Sequence, residues 1–270
     1  MSHFSQTFLA LLKEGQFTKD LLGAGATQIR RANYASKGTY FQAFTSLATG
    51  LERVGKLALI VDHYIENNGR FPDFNYLKND IGHDLIKLRD KAILIAARRG
   101  LNIDFPSSQV HSAIVRLLSE FAKGDRYSNL NLVVGAARQS DPIAAWFNDV
   151  DLALFESRVR KAKKEQIVRN AQIAAHMLGP FASIRHSSET GTEISDVEEA
   201  SLRTGIYEAV APYRQLYVLH IIRYWAELLR LLQYAAHDKG GQDIPFFGEL
   251  FAAFCNDDSY LRTRKTWDTV

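Results

Sequence analysis

TYFQAFTSLATGLERVGKLALIVDHYIE, residues 39–66, repeats apolar side chains at alternating steps of three and four. That spacing places them on one face of an α-helix, which is typical of a helix in a protein core. Gly50 and Gly55 interrupt the same segment, and we expect a neighbouring helix to approach closely at each of them. The stretch therefore predicts a long core helix with at least two packing partners. Its apolar positions are Tyr40, Phe44, Leu47, Leu51, Val54, Ala58, Val61 and Ile65.

Similar patterns on the C-terminal side of this stretch predict further helices. Apolar residues recur at helical spacing over residues 81–95 (Ile81, Leu85, Leu88, Ala92 and Ile95) and again over 110–121. Asp141-Pro142 pairs a capping residue with a proline at the first helical position, and predicts a helix that continues towards Leu178. Ser195-Asp-Val-Glu198 has the form of a capping box at the start of another helix. We therefore predict one all-α domain over residues 1–270, a helical bundle with additional flanking helices.

Four segments are predicted to interrupt the helices. The glycines of Leu22–Ala26 predict a junction between two short helices, without the further glycine or Gly-Lys-Ser/Thr ending of a nucleotide-binding loop. Residues 129–134 predict an ordered loop, and residues 183–195 predict a polar surface loop. Pro212 is expected to break or kink the helix that precedes it.

The composition is that of a globular protein, with 46% hydrophobic and 23% charged residues. A single cysteine, Cys255, excludes an intrachain disulfide and a cysteine-based metal cluster, which favours a reducing cytoplasm. No apolar run approaches the length of a membrane span, and the N-terminus lacks the features of a signal peptide. The net charge of +3 permits a polyanionic ligand without requiring one. The densest basic run, residues 158–164, is either a solvated helix face or a surface for a polyanion.

Arg214 and His220 are a pair of residues whose types suit phosphate chemistry. Arginine is always charged and matches the geometry of phosphate, while histidine titrates near neutrality and can act as a general acid or base. Six residues along a helix separate two side chains by about 120° and about 9 Å. Arg214 therefore begins an apolar stripe, whereas His220 lies on the face of three tyrosines. The stripe continues through Val218, Ile221, Trp225, Leu228 and Leu232, and the tyrosines are Tyr213, Tyr217 and Tyr224.

Residues 41–56, FQAFTSLATGLERVGK, and residues 82–88, GHDLIKL, resemble the HEPN superfamily of helical bundles. Its members often combine a Leu-Glu-Arg/Lys helix with a later helix that starts at His-Asp-Leu. The resemblance implies a HEPN-like helical core over residues 37–237 with helical extensions at both ends, and a homodimer. It also implies a metal-independent endoribonuclease of a toxin–antitoxin or antiviral defence type, working without a cofactor. The family site is an arginine followed by four to six residues and a histidine, a spacing that Arg214 and His220 match.

In that interpretation Arg214 clamps the phosphate of an RNA substrate and His220 is the general acid or base. The substrate-binding residues would be Tyr213, Tyr217, Arg223 and Tyr224, with the tyrosines stacking on unpaired bases. Because the pair does not share a helix face, another chain or another helix would have to close a substrate cleft around it. Gln215 departs from the Asn, Asp or His that frequently follows the family arginine.

A second hypothesis is a catalytically inactive helical module that binds a nucleotide or a partner protein encoded in the same system. Gln215 and the modest net charge favour it. In this case Arg214 would lie at the end of the core stripe with its guanidinium reaching towards solvent, and His220 would be a packed polar residue beside tyrosines.

The remaining polar candidates predict no metal site. His63, His111, His176, His186 and His237 show no two-ligand spacing with a nearby third ligand. Asp84 is expected either to cap a helix or to orient a base. Asp257 and Asp258 are interpreted as solvated residues of a polar tail.

Overall fold

The computed structural model describes residues 4–73, 75–76, 82–137 and 140–268. Helices account for 73% of the structure, and strands in the described ranges are confined to the antiparallel pair β1 His186–Ser187 and β2 Glu193–Ile194. The predicted all-α fold is confirmed. The α-helices are α1 Gln6–Arg31, α2 Lys37–Glu66, α3 Leu85–Arg98, α4 Gln109–Lys123, α5 Ser128–Val133, α6 Pro142–Trp146, α7 Leu152–Arg158, α8 Lys161–Leu178, α9 Val197–His237, α10 Phe247–Leu250 and α11 Asp258–Thr263.

Helix α2 lies at the centre and packs against α1, α3, α4 and α9. The helix predicted over residues 39–66 is confirmed, and all eight positions of its apolar stripe are buried. Burial of each large apolar side chain contributes about 1.5 to 3 kcal/mol, so this stripe is a major source of stability. The predicted close approach at Gly50 is also confirmed, because a Cβ atom there would lie 2.8 Å from Leu22 of α1.

Helix α1 is continuous, so the predicted junction at Leu22–Ala26 is wrong. Its glycines are packing positions. A Cβ atom on Gly23 would lie 2.2 Å from the carbonyl oxygen of Trp267. The absence of a side chain at Gly23 therefore lets the backbone at Trp267 pack directly against the helix. Glycine at position 23 thus allows a close contact with a residue far away in the sequence, which the local sequence does not reveal.

Helix α9 also runs further than predicted, continuing through Pro212 over 41 residues. Its N-cap is Asp196, one residue after Ser195, and the Asp196 side chain accepts a hydrogen bond from the Glu199 amide. A proline in a helix interior costs about 3 kcal/mol. Burial of both flanking segments offsets this cost; the buried neighbours include Val210, Ala211, Leu216 and Val218.

The segment between α4 and α9 differs from the prediction in three places. Residues 129–134 lie in and just after α5 instead of a loop. Asp141 caps α6 as predicted, but the helix does not continue to Leu178. A π-helical turn at Phe147–Asp151 and extended backbone at Val159 and Arg160 separate α6, α7 and α8. These breaks direct Asp151 into the core and Arg158 and Arg160 towards one cleft.

The predicted surface loop at 183–195 contains the hairpin β1–β2, with Ser188 and Glu189 buried behind it. Residues 257–268, here called the C-terminal segment, pack along α1 and α9. Trp267 is fully buried, stacks on Phe254, and donates its backbone N–H to Thr27 Oγ1. Leu261 and Trp267 thus anchor the segment in the core, while Asp257, Asp258 and most of its other residues are exposed, as expected of a polar tail.

Two further predictions have defined outcomes. Helix α3 buries Leu85, Leu88, Ala92 and Ile95 as its spacing predicted, while Ile81 lies outside the described residues. Among the helices of the described ranges, none is both long enough and apolar enough to cross a membrane.

Candidate functional site

Arg214 is fully buried where α9 crosses α2 and the π-helical turn. Its Nη1 donates to the Tyr40 hydroxyl and to the Ala32 carbonyl oxygen, each at 3.0 Å, and its Nε lies 3.4 Å from Asp151 Oδ1. Asp151 also accepts hydrogen bonds from the Tyr40 hydroxyl and from Trp146 Nε1. The side chains of Arg214 and Asp151 are 1% and 3% exposed. They form an ion pair inside the bundle.

Burial raises the pKa of Asp151 to about 6, against the opposing charge of Arg214. The charge of Arg214 and the hydrogen bonds from Tyr40 and Trp146 oppose this effect and favour the ionised carboxylate. Burial acts to lower the pKa of Arg214, but Asp151 and Tyr40 reverse that effect and leave it above its ordinary value. Removing either partner would leave the other charge uncompensated in the core.

This geometry corrects both expectations for Arg214. A guanidinium that is 1% exposed and held by Asp151, Tyr40 and Ala32 does not reach a phosphate in solvent. Nor does it extend towards solvent from the end of the apolar stripe. Gln215 is equally buried and holds the C-terminal segment, because its Nε2 donates to the carbonyl oxygens of Ala26 and Lys265.

His220 faces away from Arg214 and hydrogen-bonds to Asp258 and to His111, which in turn hydrogen-bonds to Ser108. His220 Nε2 lies 3.1 Å from Asp258 Oδ1, its Nδ1 lies 3.1 Å from His111 Nε2, and His111 Nδ1 lies 2.7 Å from Ser108 Oγ. Because an ionised carboxylate only accepts, His220 Nε2–H donates to Asp258. His220 Nδ1 then accepts from His111 Nε2–H, and His111 Nδ1 accepts from the Ser108 hydroxyl. With one tautomer for each neutral histidine, every hydrogen bond in the series Asp258–His220–His111–Ser108 has one donor and one acceptor.

The surroundings favour these neutral forms. Burial lowers the pKa of His111 to about 4, and the charges of His220 and Arg158 act in the same direction. Burial also lowers the pKa of His220, with Asp258 opposing the shift and Arg223 adding to it. Burial acts to raise the pKa of Asp258, but His220 and Arg223 bring it below its ordinary value. Asp258 is exposed, as expected of a residue in the polar tail, and it also hydrogen-bonds to His220 and Arg223.

The predicted substrate-binding residues lie in different surroundings. Tyr217 is buried, stacks on His111 with ring centroids 4.5 Å apart, and accepts a hydrogen bond from Arg158 Nε at 2.8 Å. Tyr224 is buried against Phe105, so neither ring is free to stack on a base.

Arg223 and Tyr213 are more accessible. Arg223 Nη1 donates to Asp258 Oδ1 and to the Asn256 carbonyl oxygen, which fixes one end of the C-terminal segment. Tyr213 is half-buried and lines an open cleft, where the guanidinium of Arg262 lies 5.9 Å from its ring centre.

That cleft, here called the basic cleft, has a volume of about 610 Å³ and lies between α1, α9, the start of α8 and the C-terminal segment. No carboxylate is among the residues that line it. Helix α8 begins here at Lys161 without a side-chain cap and without an acidic residue in its first turn, so its positive dipole end adds to the field. The lining residues are Arg30, Arg158, Val159, Arg160, Lys163, Ala209, Pro212, Tyr213, Arg262 and Thr263.

The five cations of the basic cleft, like a number of exposed cations elsewhere in the described ranges, have no acidic partner, but here five such cations lie together. Within the described ranges none of these five side chains forms an ion pair. Where they make polar contacts, the acceptors are neutral. Arg30, for example, donates to Gln215 Oε1 and to the Arg262 carbonyl oxygen. Arg158 uses the Tyr217 hydroxyl. Other arginines do form ion pairs, as in the contacts of Arg98 and Arg99 with Asp62. The cleft therefore carries a concentrated, uncompensated positive charge.

The two motifs that resemble the HEPN superfamily contact each other. His83 Nδ1 lies 2.8 Å from Glu52 Oε2. Asp84 accepts hydrogen bonds from the Ile86 and Lys87 amides, so the interpretation of Asp84 as a helix cap is confirmed.

No family model, curated protein or solved structure matches this chain. Its function is therefore inferred from its own residues. Spacing in the sequence identified His220 and Tyr213 as candidate site residues. The basic run pointed to Arg158, Arg160 and Lys163, since a surface for a polyanion was one of its two interpretations. These patterns missed Arg30, Arg262, His111 and Asp258, because these lie far apart in the chain and meet only through the packing of α1, α4 and the C-terminal segment around α9.

Proposed function

We propose that this chain binds RNA through its phosphate backbone in the basic cleft. The observation that carries the proposal is the group of five cations without a carboxylate: Arg30, Arg158, Arg160, Lys163 and Arg262. Clustered arginine and lysine side chains neutralise phosphates and release counterions, which supplies most of the affinity of sequence-independent binding. The net charge of the whole chain is only +3, so the clustering of these five cations is better evidence for polyanion binding than the total charge is.

Tyr213 favours RNA over a simple inorganic polyanion. Its half-buried ring lies in the cleft beside the Arg262 guanidinium. Aromatic rings and guanidinium planes are the surfaces on which unpaired bases stack. The resemblance of residues 41–56 and 82–88 to the HEPN superfamily supports the same class of ligand.

The test is binding of a fluorescein-labelled, unpaired RNA followed by fluorescence anisotropy. The double variant Arg160→Ala/Lys163→Ala removes two cleft cations whose side chains are exposed. Lys87→Ala/Arg169→Ala is the matched control, because it removes two exposed cations that line neither this cleft nor its neighbour. We expect weaker binding in the first variant and wild-type binding in the second. Equal affinity in all three proteins would contradict the proposal.

A second candidate is cleavage of the bound RNA, in which His220 acts as general base. The observation that favours it is the Asp258–His220–His111 chain, where a carboxylate fixes the tautomer and orientation of His220. Such a base would take the proton of a ribose 2′-hydroxyl at Nδ1, which requires the hydroxyl to displace His111 Nε2–H from that nitrogen. In this proposal Arg158, which contacts Tyr217 beside the histidines, takes the phosphate-binding role expected of Arg214.

Incubation of RNA with the purified protein in EDTA tests the second candidate. Cleavage that persists in EDTA, is lost in His220→Gln and is reduced in Asp258→Asn would support it. His176→Gln changes an exposed histidine on α8 and serves as the control. Binding without cleavage would leave RNA binding as the function and contradict catalysis by His220.

A further inference from the structure

A second groove adjoins the basic cleft on the other side of Pro212. It has a volume of about 360 Å³ and shares Arg30 and Pro212 with the cleft. The C-terminal segment borders both spaces, with Arg262 and Thr263 at the cleft and Lys265 and Thr266 at the groove. The two spaces are therefore consecutive along one surface. The groove is lined by Arg30, Arg31, Tyr207, Glu208, Ala211, Pro212, Lys265 and Thr266.

Arg30 is fixed between the two spaces. Its Nη1 donates to Gln215 Oε1 and to the Arg262 carbonyl oxygen, each at 2.7 Å. Burial lowers the pKa of Arg30, but an arginine remains protonated at neutral pH. Its positive charge is available to phosphates on either side of Pro212.

Each space also contains one half-buried tyrosine, Tyr213 in the cleft and Tyr207 in the groove. Six residues of helix place the two about 9 Å apart along the axis of α9 and about 120° apart around it. Because the two rings lie about 120° apart around α9, one straight and continuous base stack does not contact both of them. A ligand that uses both tyrosines must have its bases splayed and unpaired.

We propose that the ligand of this surface is an unpaired RNA strand that runs through the basic cleft, over Pro212 and into the second groove. The inference rests on the proposed RNA-binding function and adds the path and the minimum length of the ligand. Phosphates contact Arg158, Arg160 and Lys163 at one end, Arg30 at the middle, and Arg31 and Lys265 at the other end. A mononucleotide occupies only one of the two spaces, and a duplex does not expose its bases to the tyrosines.

Glu208 gives the path a testable asymmetry. It is the carboxylate among the residues that line the second groove, and the basic cleft has none. A phosphate near Glu208 is repelled, so removing this charge strengthens binding only for a strand that enters the groove.

The experiment compares fluorescein-labelled oligouridines of roughly 4 and 12 nucleotides, a range typical of single-strand binding sites. The wild-type protein should bind the longer RNA on the order of tenfold more tightly than the shorter one, because it gains the groove contacts. Arg31→Ala/Lys265→Ala should remove this gain and leave binding of the short RNA unchanged. Glu208→Gln should strengthen binding of the long RNA alone. The control is Lys87→Ala/Arg169→Ala, with each protein checked for folding by circular dichroism.

The outcomes separate this inference from the function on which it rests. If neither RNA binds, the proposed function fails and the path fails with it. If both lengths bind equally, or if the gain persists in Arg31→Ala/Lys265→Ala, RNA binding stands and the path is overturned. A duplex of the same length that competes as well as the single strand would overturn the requirement for unpaired bases.

Discussion

Arg214 Nε lies 3.4 Å from Asp151 Oδ1, and both side chains are buried in the core of the bundle. The residue whose spacing best matched a ribonuclease motif is therefore half of a structural ion pair that joins α9 to the π-helical turn. Tyr40 bridges the pair from α2, since its hydroxyl accepts from Arg214 and donates to Asp151. The position can be essential for folding without contacting any ligand.

The first prediction concerns this ion pair. Arg214→Ala should lower the free energy of unfolding by about 3 to 5 kcal/mol, because Asp151 is left as an uncompensated buried charge. Urea unfolding followed by circular dichroism measures the change. Arg214→Met/Asp151→Leu should recover much of the loss, since it removes both charges. A fully stable Arg214→Ala protein that has lost RNA binding would instead restore the phosphate-clamp role.

The second prediction concerns the salt dependence of RNA binding. For single strands, the slope of log K against log salt concentration changes by about 0.7 for each phosphate contact. Arg160→Ala/Lys163→Ala should therefore reduce the magnitude of the slope by about 1.4. Anisotropy titrations at several salt concentrations give this value. An unchanged slope would show that these two cations do not contact phosphate.

Patterns in the sequence predicted the features that depend on residues close together in the chain. The apolar stripe of α2 and the caps at Asp84 and Asp141 depend on residues two to four positions apart, and the structure confirms each. The predictions failed where distant residues decide the backbone. Gly23 is helical because Trp267 packs against it, and Pro212 is tolerated because the apolar segments on both sides of it are buried.

The candidate site was less predictable for the same reason. Asp258 and His111 lie far from His220 in the chain and reach it only because α11 and α4 pack on either side of α9. Helix geometry did predict that Arg214 and His220 would face different directions. Helix geometry could not predict the partner of Arg214. A π-helical turn directs Asp151 inward, and no pattern in residues 147–151 predicts that turn.

The third prediction concerns Gln215, which ties the C-terminal segment to α1 and α9. Its side chain bonds Arg30 and the carbonyl oxygens of Ala26 and Lys265. Gln215→Leu removes all three hydrogen bonds, at a net cost of about 0.5 to 1.5 kcal/mol for each. Hydrogen–deuterium exchange should then become faster in residues 262–267, with the amides of α2 affected least. Unchanged protection of that segment would contradict the role assigned to Gln215.

The fourth prediction concerns the stability of the protein at acidic pH. The pKa of His111 is about 4 in the folded state, below the ordinary value of 6.5. Between these values the unfolded chain binds more protons than the folded protein, so the stabilising contribution is present above pH 6.5 and is lost as the pH falls towards 4. Between pH 7 and pH 5 this residue should reduce the free energy of unfolding by about 2 kcal/mol.

Urea unfolding at pH 7 and pH 5, compared between wild type and His111→Gln, isolates this contribution. The comparison is needed because Asp151, whose folded-state pKa is raised to about 6, acts with the opposite sign over the same range. Glutamine can hydrogen-bond His220 but cannot take a proton, so the variant should lose less stability on acidification than the wild type. His176→Gln, at an exposed position, should behave as the wild type does. If His111→Gln shows the full wild-type loss, protonation of His111 does not control stability in this range.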